Sequence, residues 1–313
     1  MVLRITGTFL DEVTHDIPAH NWGRAEWERE FDTFVAAGID TVVLIRAGYG
    51  ERLSFPSATV AKFVQVLPVY SDAVEMFLQL ADARNLQFYF GLYDSGYYWH
   101  RYDWKSEVEI NQEFAREAWD RYGRHDAFKG WYLPHETAGT DERIIDINKA
   151  LAETVRGISD LPVLMSPYWM GRSEGFVPSA RRHPAAASPE EHARQWDEIL
   201  GALKGLVTYC AFQDGTAYEH NLEDFLRVSR EVAAAHHVEL WSNVETFDRD
   251  MPIKFPPIEW RKLVNKLTIA EAYVTKAITF EFSHFMSPNS MWPSARTLYD
   301  RYEEYCRGDV RPL

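Results

Sequence analysis

The sequence predicts an α/β fold of the (β/α)8 class, a TIM barrel, and three observations support this. Short runs of β-branched and aromatic residues alternate eight times with segments whose apolar residues recur every three or four positions. The length of 313 residues lies within the range of such barrels. No G-x-G-x-x-G or P-loop motif is found, which disfavours the open doubly wound sheet that shares this alternation.

Each predicted strand is followed by a predicted helix. The strands are expected at residues 3–10, 41–46, 86–92, 130–136, 162–169, 206–212, 238–245 and 277–282. The helices are expected at residues 25–37, 72–84, 105–122, 141–158, from 188 onward, 221–235, 257–275 and from 293 onward. Ser188 is a typical N-cap because Pro189 follows it at the first helical position. Since the alternation is never interrupted, we expect one catalytic domain over residues 1–313.

The composition indicates a folded protein with an acidic surface. Hydrophobic residues make up 46% of the chain, enough for a large core, and the formal net charge is -14. An acidic surface repels phosphate backbones and anionic lipids, so we predict no nucleic-acid partner and no membrane partner. Cys210 and Cys306 form no disulfide or zinc-ligand pattern. The first residues are interpreted as a strand rather than a signal peptide, so a cytoplasmic protein is expected.

Polar and aromatic residues follow the predicted strands at the end where TIM barrels carry their active sites. Asp11 and Asp214 follow the first and sixth strands. The residues expected to bind substrate are Arg46, Asp94, Tyr98, Trp99, His135, Tyr168, Trp169, Gln213, Asn243 and His284. Aromatic rings stack on the C–H faces of sugars while polar groups bind hydroxyls, so this set predicts a carbohydrate substrate. The alternative for the aromatic members is that they pack loops onto the barrel.

Two glutamates are the predicted catalytic residues. Glu136 ends the fourth predicted strand and Glu245 ends the seventh, three places away around an eight-stranded ring. Hydrolysis of a glycosidic bond uses two facing carboxyl groups, one that protonates the leaving oxygen and one that attacks the anomeric carbon or activates water. The sequence therefore predicts a glycoside hydrolase. The alternative for each glutamate taken singly is a solvated or salt-bridged loop carboxylate.

Three of the predicted site residues have more than one interpretation. A buried histidine is more often a hydrogen-bonded structural residue than a ligand, and this applies to His135 and His284. If His135 does reach the substrate, its place beside Glu136 predicts that it tunes that carboxyl group or binds a hydroxyl. Arg46 is expected to keep the nucleophilic carboxylate ionised through a charge-assisted hydrogen bond.

Two other functions are compatible with the same fold. A metal-dependent sugar isomerase or epimerase would need ligands such as Asp94, Glu136, Glu245 and His284 to converge. No H-x-E or H-x-x-x-H spacing supports this, so we predict neither a metal nor another cofactor. The other alternative is a carbohydrate-binding barrel without catalysis. A serine-hydrolase triad is disfavoured because no G-x-S-x-G motif occurs.

Four short motifs resemble a known family. They are GTFL at residues 7–10, GIDTV at 38–42, GWYLPHE at 130–136 and FEFSHFMSP at 280–288. They resemble the domain-of-unknown-function 4434 family, a set of TIM-barrel proteins described as glycoside-hydrolase-like. The glutamates after the fourth and seventh strands are also similar to those of the large retaining clan of (β/α)8 glycosidases. That resemblance implies Glu136 as acid/base and Glu245 as nucleophile, although His135 stands where the clan usually has Asn.

Overall fold

The computed structural model describes residues 2–14, 17–101, 103–140, 142–172 and 186–308. Within this part of the chain, eight parallel strands form a closed barrel. They are β1 (Ile5–Leu10), β2 (Thr41–Leu44), β3 (Gln87–Gly91), β4 (Phe128–Leu133), β5 (Val163–Met165), β6 (Tyr209–Gln213), β7 (Glu239–Asn243) and β8 (Lys276–Thr279). Each strand pairs with its neighbours in chain order, and β8 pairs with β1 to close the ring. The predicted TIM barrel is confirmed.

A long helix follows each strand and covers the outside of the barrel. The helices are α1 (Arg24–Ala36), α2 (Ala73–Asp82), α3 (Trp104–Tyr122), α4 (Glu142–Ile158), α5 (Pro189–Ala202), α6 (Leu222–Ala235), α7 (Trp260–Ala270) and α8 (Pro293–Arg307). Shorter helical turns are Val60–Phe63, Trp99–Arg101, Glu219–Asn221 and Phe282–Phe285. Residue 141, the expected start of the fourth helix, lies outside the described residues. No helix in the described ranges is long and apolar enough to cross a bilayer.

Several barrel strands end earlier than the sequence predicts. β5 ends at Met165 instead of residue 169, since Pro167 has no N–H with which to continue the ladder of hydrogen bonds. β7 ends at Asn243, so Glu245 lies two residues beyond the strand. β8 ends at Thr279. Side chains expected inside strands therefore lie on short loops above the barrel, where the in-and-out alternation of a strand does not fix which way they point.

The interior of the barrel is filled by side chains, so the site above it has a solid floor. Phe9, Tyr89, Tyr132 and Trp241 belong to this inner cluster. Gly130 makes room for it, because a Cβ at this position would lie 2.2 Å from the ring of Tyr89. A second apolar layer lies between the strands and the helices.

A small three-stranded sheet, which the sequence does not predict, lies beside the barrel mouth. It consists of Gly48–Tyr49, Arg52–Leu53 and Tyr93–Asp94. Strands of two residues are too short to show periodicity, which explains why they were missed. The sheet holds Asp94 in place, because the backbone N–H of Gly50 donates to its carbonyl at 2.9 Å.

Candidate active site

A cavity of about 200 Å³ opens at the carboxyl ends of the barrel strands. The predicted site residues that line it are Arg46, Asp94, Trp99, Glu136, Tyr168, Gln213, Asn243 and Glu245. They lie at or just after the carboxyl ends of β2 to β7, as the strand-end rule predicts for a TIM barrel. The fold therefore brings most of the predicted polar set, including both candidate catalytic glutamates, to one place.

Glu245 is held by a guanidinium group. Its Oε1 accepts a hydrogen bond from Nη2 of Arg249 at 2.7 Å, and its Oε2 accepts one from Nε at 2.9 Å. Such bidentate pairs are strong and fix the orientation of the carboxylate. Only 1% of the Glu245 side chain is exposed. Burial alone would lower the pKa of Arg249, but the contact with Glu245 outweighs it and raises that pKa above its ordinary value.

A second charged pair supports the backbone of Glu245. Oδ1 of Asp214 accepts hydrogen bonds from Nζ of Lys266 at 2.7 Å and from the backbone N–H of Glu245 at 3.0 Å. Nζ of Lys266 also donates to the carbonyl of Glu245 at 3.3 Å. Burial raises the pKa of Asp214 to about 6, although Lys266 acts in the opposite direction. Glu245 is thus positioned through both its side chain and its backbone.

Gly215 packs directly against the carboxylate of Glu245. A Cβ at this position would lie 1.7 Å from Oε2 of Glu245 and 2.7 Å from Nε of Arg249. Neither atom could stay in place beside a larger residue. The glycine is therefore needed for the position of the carboxylate and its guanidinium partner.

Glu136 follows β4 and is the more open of the two candidate catalytic residues, with 35% of its side chain exposed. Its Oε1 lies 3.4 Å from Nη2 of Arg46, which also donates to the carbonyl of Pro134 at 3.2 Å. Nε of Arg46 donates to Oδ2 of Asp94 at 3.1 Å. Burial favours the neutral form of Asp94, but the guanidinium of Arg46 outweighs it and holds the pKa of Asp94 below its usual value.

The expected partner of Arg46 differs from the observed one. We expected Arg46 to pair with the nucleophile candidate, whereas it contacts Glu136 and Asp94, and Arg249 pairs with Glu245. The reason is the order of strands: β2 adjoins β3, which adjoins β4, whereas Arg249 lies in the same loop as Glu245. Each carboxylate therefore has its own arginine.

His135 lies behind the cavity wall and does not line it. Its side chain is fully buried, and Nε2 lies 3.0 Å from Oε1 of Glu107 on α3. The same Oε1 accepts the backbone N–H of Ser95 at 2.9 Å. Asp94 stands on the cavity side of this group, where Oδ1 accepts a hydrogen bond from Nε1 of Trp99 at 3.1 Å. The placement of His135 matches the structural alternative considered for it.

Trp169 and Tyr98 also lie outside the cavity lining. Trp169 is fully buried and stacks on Phe212 with ring centroids 5.7 Å apart. Its Nε1 donates to Oγ of Ser229 at 3.2 Å. Tyr98 packs against the outer core. Of the four predicted aromatic contacts, Trp99 and Tyr168 are therefore the pair that faces the cavity.

His284 is buried beside the loop that follows β1 and does not line the cavity. Its Nε2 lies 2.7 Å from the carbonyl oxygen of Pro18, and its Nδ1 contacts Oε1 of Glu281. The ring of His20 packs against it with centroids 3.6 Å apart. Burial lowers the pKa of His284 to about 3 and the pKa of His20 to about 4.

A cluster of phenylalanines in the cavity lining is not among the predicted site residues. The cluster consists of Phe247, Phe255 and Phe280, and the ring centroids of Phe247 and Phe255 lie 4.4 Å apart. The lining also carries charged groups: Arg46 and Glu136, and Arg249, whose guanidinium lies 4.9 Å from the ring centroid of Phe247. A cavity that combines aromatic rings with charged groups suits a ligand with C–H faces and hydroxyl groups. Alternation along the eighth strand could have indicated Phe280, since inward-facing residues recur every second position.

Comparison with known proteins decides the family. A family model described as a domain of unknown function, DUF4434, matches residues 5–292. The chain belongs to the DUF4434 family. A solved protein from Bacteroides thetaiotaomicron VPI-5482, provisionally named an alpha-L-fucosidase, is 42% identical to this DUF4434 chain. The match covers 97% of this chain and 93% of that protein, with a TM-score of 0.91. No curated protein matches the sequence.

Two more distant structures share the fold of this DUF4434 protein. The endo-1,4-beta-D-mannanase of Thermotoga petrophila RKU-1 has a TM-score of 0.62 at 10% identity, with 97% of this chain and 99% of that chain covered. The beta-D-glucuronidase of Dictyoglomus thermophilum has a TM-score of 0.52 at 14% identity, with 97% and 50% covered. The barrel of this DUF4434 protein is thus the barrel found in glycoside hydrolases.

Two groups of side chains among the described residues of this DUF4434 protein have ligand atoms close enough to share a metal ion. They are His20 with Glu281 and His284, and Asp94 with Glu107 and His135. Neither group includes Glu136 or Glu245. The ligand set considered for a metal-dependent isomerase is therefore divided between separate places, with His284 in one group and Asp94 in the other.

Proposed function

We propose that this DUF4434 protein is a glycoside hydrolase in which Glu136 is the general acid/base and Glu245 the nucleophile. The observation that carries the proposal is that these two carboxyl groups, from the segments that follow β4 and β7, line one cavity together with aromatic side chains. Hydrolysis of a glycosidic bond needs two carboxyl groups on either side of the anomeric carbon. The barrel type, shared with glycoside hydrolases of several specificities, is consistent with this chemistry.

The surroundings of the two glutamates support different roles for them. Both oxygens of Glu245 accept hydrogen bonds from Arg249, an arrangement that suits an anionic nucleophile. Glu136 is more exposed and its contact with Arg46 is longer, at 3.4 Å, so it can exchange a proton with water and with a leaving group. In the proposed reaction Glu245 attacks the anomeric carbon while Glu136 protonates the departing oxygen. Glu136 then takes a proton from the water that releases the sugar with retained configuration.

Alpha-L-fucosides are the first substrates to test, because the 42% identical protein is provisionally named an alpha-L-fucosidase. The phenylalanine cluster of Phe247, Phe255 and Phe280 would pack against the C–H groups of a sugar ring. The polar and charged groups of the lining would bind its hydroxyl groups. We further infer that residues 1–313 act as one catalytic domain that needs no cofactor for this reaction.

The test is a screen of 4-nitrophenyl glycosides and oligosaccharides, followed by Glu136→Gln and Glu245→Gln on the best substrate. Each substitution should lower kcat/KM by at least about 10³-fold, since it removes a group that acts in the transition state. Glu109→Gln is the matched control, because Glu109 is exposed on α3, and it should retain wild-type activity. Proton NMR of the first product should show retention of the anomeric configuration.

Several outcomes would contradict parts of this proposal. Near wild-type activity in both glutamine variants would refute the site assignment. A product of inverted configuration would refute the nucleophilic role of Glu245. An isomerised sugar in place of a hydrolysed one would favour the isomerase alternative, and tight sugar binding without turnover across the panel would favour the non-catalytic barrel.

A further inference from the structure

The loop after β1 and the segment after β8 meet beside the cavity and bury three side chains of metal-ligating type. They are His20, Glu281 and His284. One ligand atom from each lies within 4.8 Å of the others. The side chains of Glu281 and His284 are fully buried, and that of His20 is 2% exposed. Two imidazoles and one carboxylate form a donor set that binds transition-metal ions in many proteins.

Each histidine has one ring nitrogen that contacts an oxygen outside this group of three side chains. The other ring nitrogen makes no such contact. Nδ1 of His20 lies 2.8 Å from Oε1 of Glu12, while its Nε2 is buried and has no hydrogen-bond partner among the described residues. Nε2 of His284 lies 2.7 Å from the carbonyl oxygen of Pro18. Metal-bound histidines have this arrangement, since the nitrogen that does not bind the ion donates its proton to a carboxylate or carbonyl.

The contact between His284 and Glu281 brings two hydrogen-bond acceptors together. A carbonyl oxygen only accepts hydrogen bonds, so Nε2 of His284 carries the proton that is shared with Pro18. Nδ1 of the neutral ring then presents a lone pair to Oε1 of Glu281, which also presents a lone pair. Two acceptors in contact repel each other unless a proton or a cation lies between them.

The carboxylate of Glu281 is oriented by the backbone that follows it. Its Oε1 accepts the N–H of His284 at 3.0 Å, and its Oε2 accepts the N–H of Ser283 at 3.0 Å. Hydrogen bonds of this kind hold metal-ligating carboxylates in position. Two neutral imidazoles and this carboxylate carry one negative charge in a buried place. A divalent cation would offset it.

We propose that His20, Glu281 and His284 bind one divalent transition-metal ion, with Zn²⁺ as the best match to two nitrogens and one oxygen. Hard cations such as Mg²⁺ and Ca²⁺ prefer oxygen ligands throughout and fit this set less well. The ion would link the loop after β1 to the segment after β8. Asp11 and Phe280, which line the cavity, belong to these two segments, so the ion would hold that side of the cavity in place. The proposal does not depend on the proposed hydrolase activity.

The test measures metal binding by itself. Protein purified without chelators is analysed for metal by mass spectrometry, and metal-free protein is titrated with Zn²⁺ and with Co²⁺, whose visible spectrum reports nitrogen and oxygen ligands. Wild-type protein should bind about one ion per chain at micromolar concentration or below. His20→Asn and Glu281→Gln should lose this site. His236→Gln should keep it, because His236 pairs with Asp197 on the outer helices.

Thermal unfolding of the wild-type protein gives a second measurement that needs no variant. Its Tm should rise on addition of Zn²⁺ and fall again with a chelator, since an ion that binds the folded state alone stabilises it. His20→Asn should show no such shift. Failure of wild-type protein to bind Zn²⁺ or Co²⁺ would refute the proposal. It would indicate that a proton, and not a metal ion, lies between His284 and Glu281. Equal binding by wild type and His20→Asn would also refute it.

Discussion

Replacement of Gly215 by alanine is the most direct way to test whether the position of Glu245 matters. The Cβ of the new residue would lie 1.7 Å from Oε2 of Glu245, 2.6 Å from its Cδ and 2.7 Å from Nε of Arg249. All three atoms belong to the bidentate ion pair. The substitution adds one methyl group and changes no charge, so its effect comes from displacement of the carboxylate.

The size of the displacement can be estimated from the structure. Ordinary contacts of a Cβ begin near 3.4 Å, so Oε2 of Glu245 has to move by about 1.7 Å or the backbone has to shift by a comparable amount. Misplacement of a reacting group by about 1 Å lowers the rate by roughly 10²-fold, and the larger displacement here predicts a loss of at least about 10²-fold in kcat. Overpacking of this kind also costs about 1–3 kcal/mol of stability.

The assay compares kcat and KM on the best glycoside of the panel for wild type, Gly215→Ala and Gly157→Ala. Gly157 lies near the end of α4, and a Cβ there would meet no atom within 4 Å. The control should therefore keep wild-type kinetics and equal or higher stability, because alanine suits a helix better than glycine. Urea unfolding of each variant separates loss of folding from loss of activity.

A kcat of Gly215→Ala within threefold of wild type, in a folded protein, would refute this reasoning. It would mean that the carboxylate can move without consequence, and Glu245 would then not be the nucleophile. A loss that appears only at urea concentrations or temperatures where the variant unfolds would also count against a positional effect. A large fall in kcat with an intact urea transition is the expected result.

Three further perturbations have expected outcomes that can be measured by urea unfolding. Arg249→Met leaves the carboxylate of Glu245 buried without its cation, and should cost about 3 kcal/mol, the lower end of the range for a broken buried pair, because 24% of the arginine side chain is exposed. The Glu245→Gln/Arg249→Met double variant should recover part of this loss, and no recovery would contradict the pairing. Burial raises the pKa of the Asp214 carboxyl group from 3.8 to about 6, so the folded state binds the carboxyl proton more tightly than the unfolded state does. The free energy of unfolding should therefore fall by about 3 kcal/mol in total as the pH rises from 3.8 to about 6. Asp214→Asn should lack that contribution, and identical pH dependence in both proteins would count against it. Gly130→Ala would bring a Cβ to 2.2 Å from the ring of Tyr89 and should cost about 1–3 kcal/mol through overpacking of the barrel interior, whereas an unchanged transition would show that the ring can move aside.

The sequence by itself determined the barrel and the position of the two candidate catalytic residues along it. Local periodicity decides whether a segment forms a strand or a helix, and eight regular repeats leave few other folds. Glu136 and Glu245 could be selected because every parallel strand of a barrel ends at the same face. The family could be predicted from short motifs at strand ends, and the match over residues 5–292 confirms it.

The tertiary structure alone decided which residues face the cavity and which lie behind it. His135, Trp169 and His284 follow strands just as Glu136 does, yet they turn into the protein because Glu107, Phe212 and Glu281 offer them buried partners. Glu107 and Phe212 are distant in sequence from their partners, so no local pattern reveals them, whereas Glu281 lies three residues before His284 as the N-cap of the same helical turn. The pairing of Arg249 with Glu245 and of Arg46 with Glu136 depends on the course of loops beyond the strand ends. Loop courses are set by packing between segments, which is why they appear only in the folded chain.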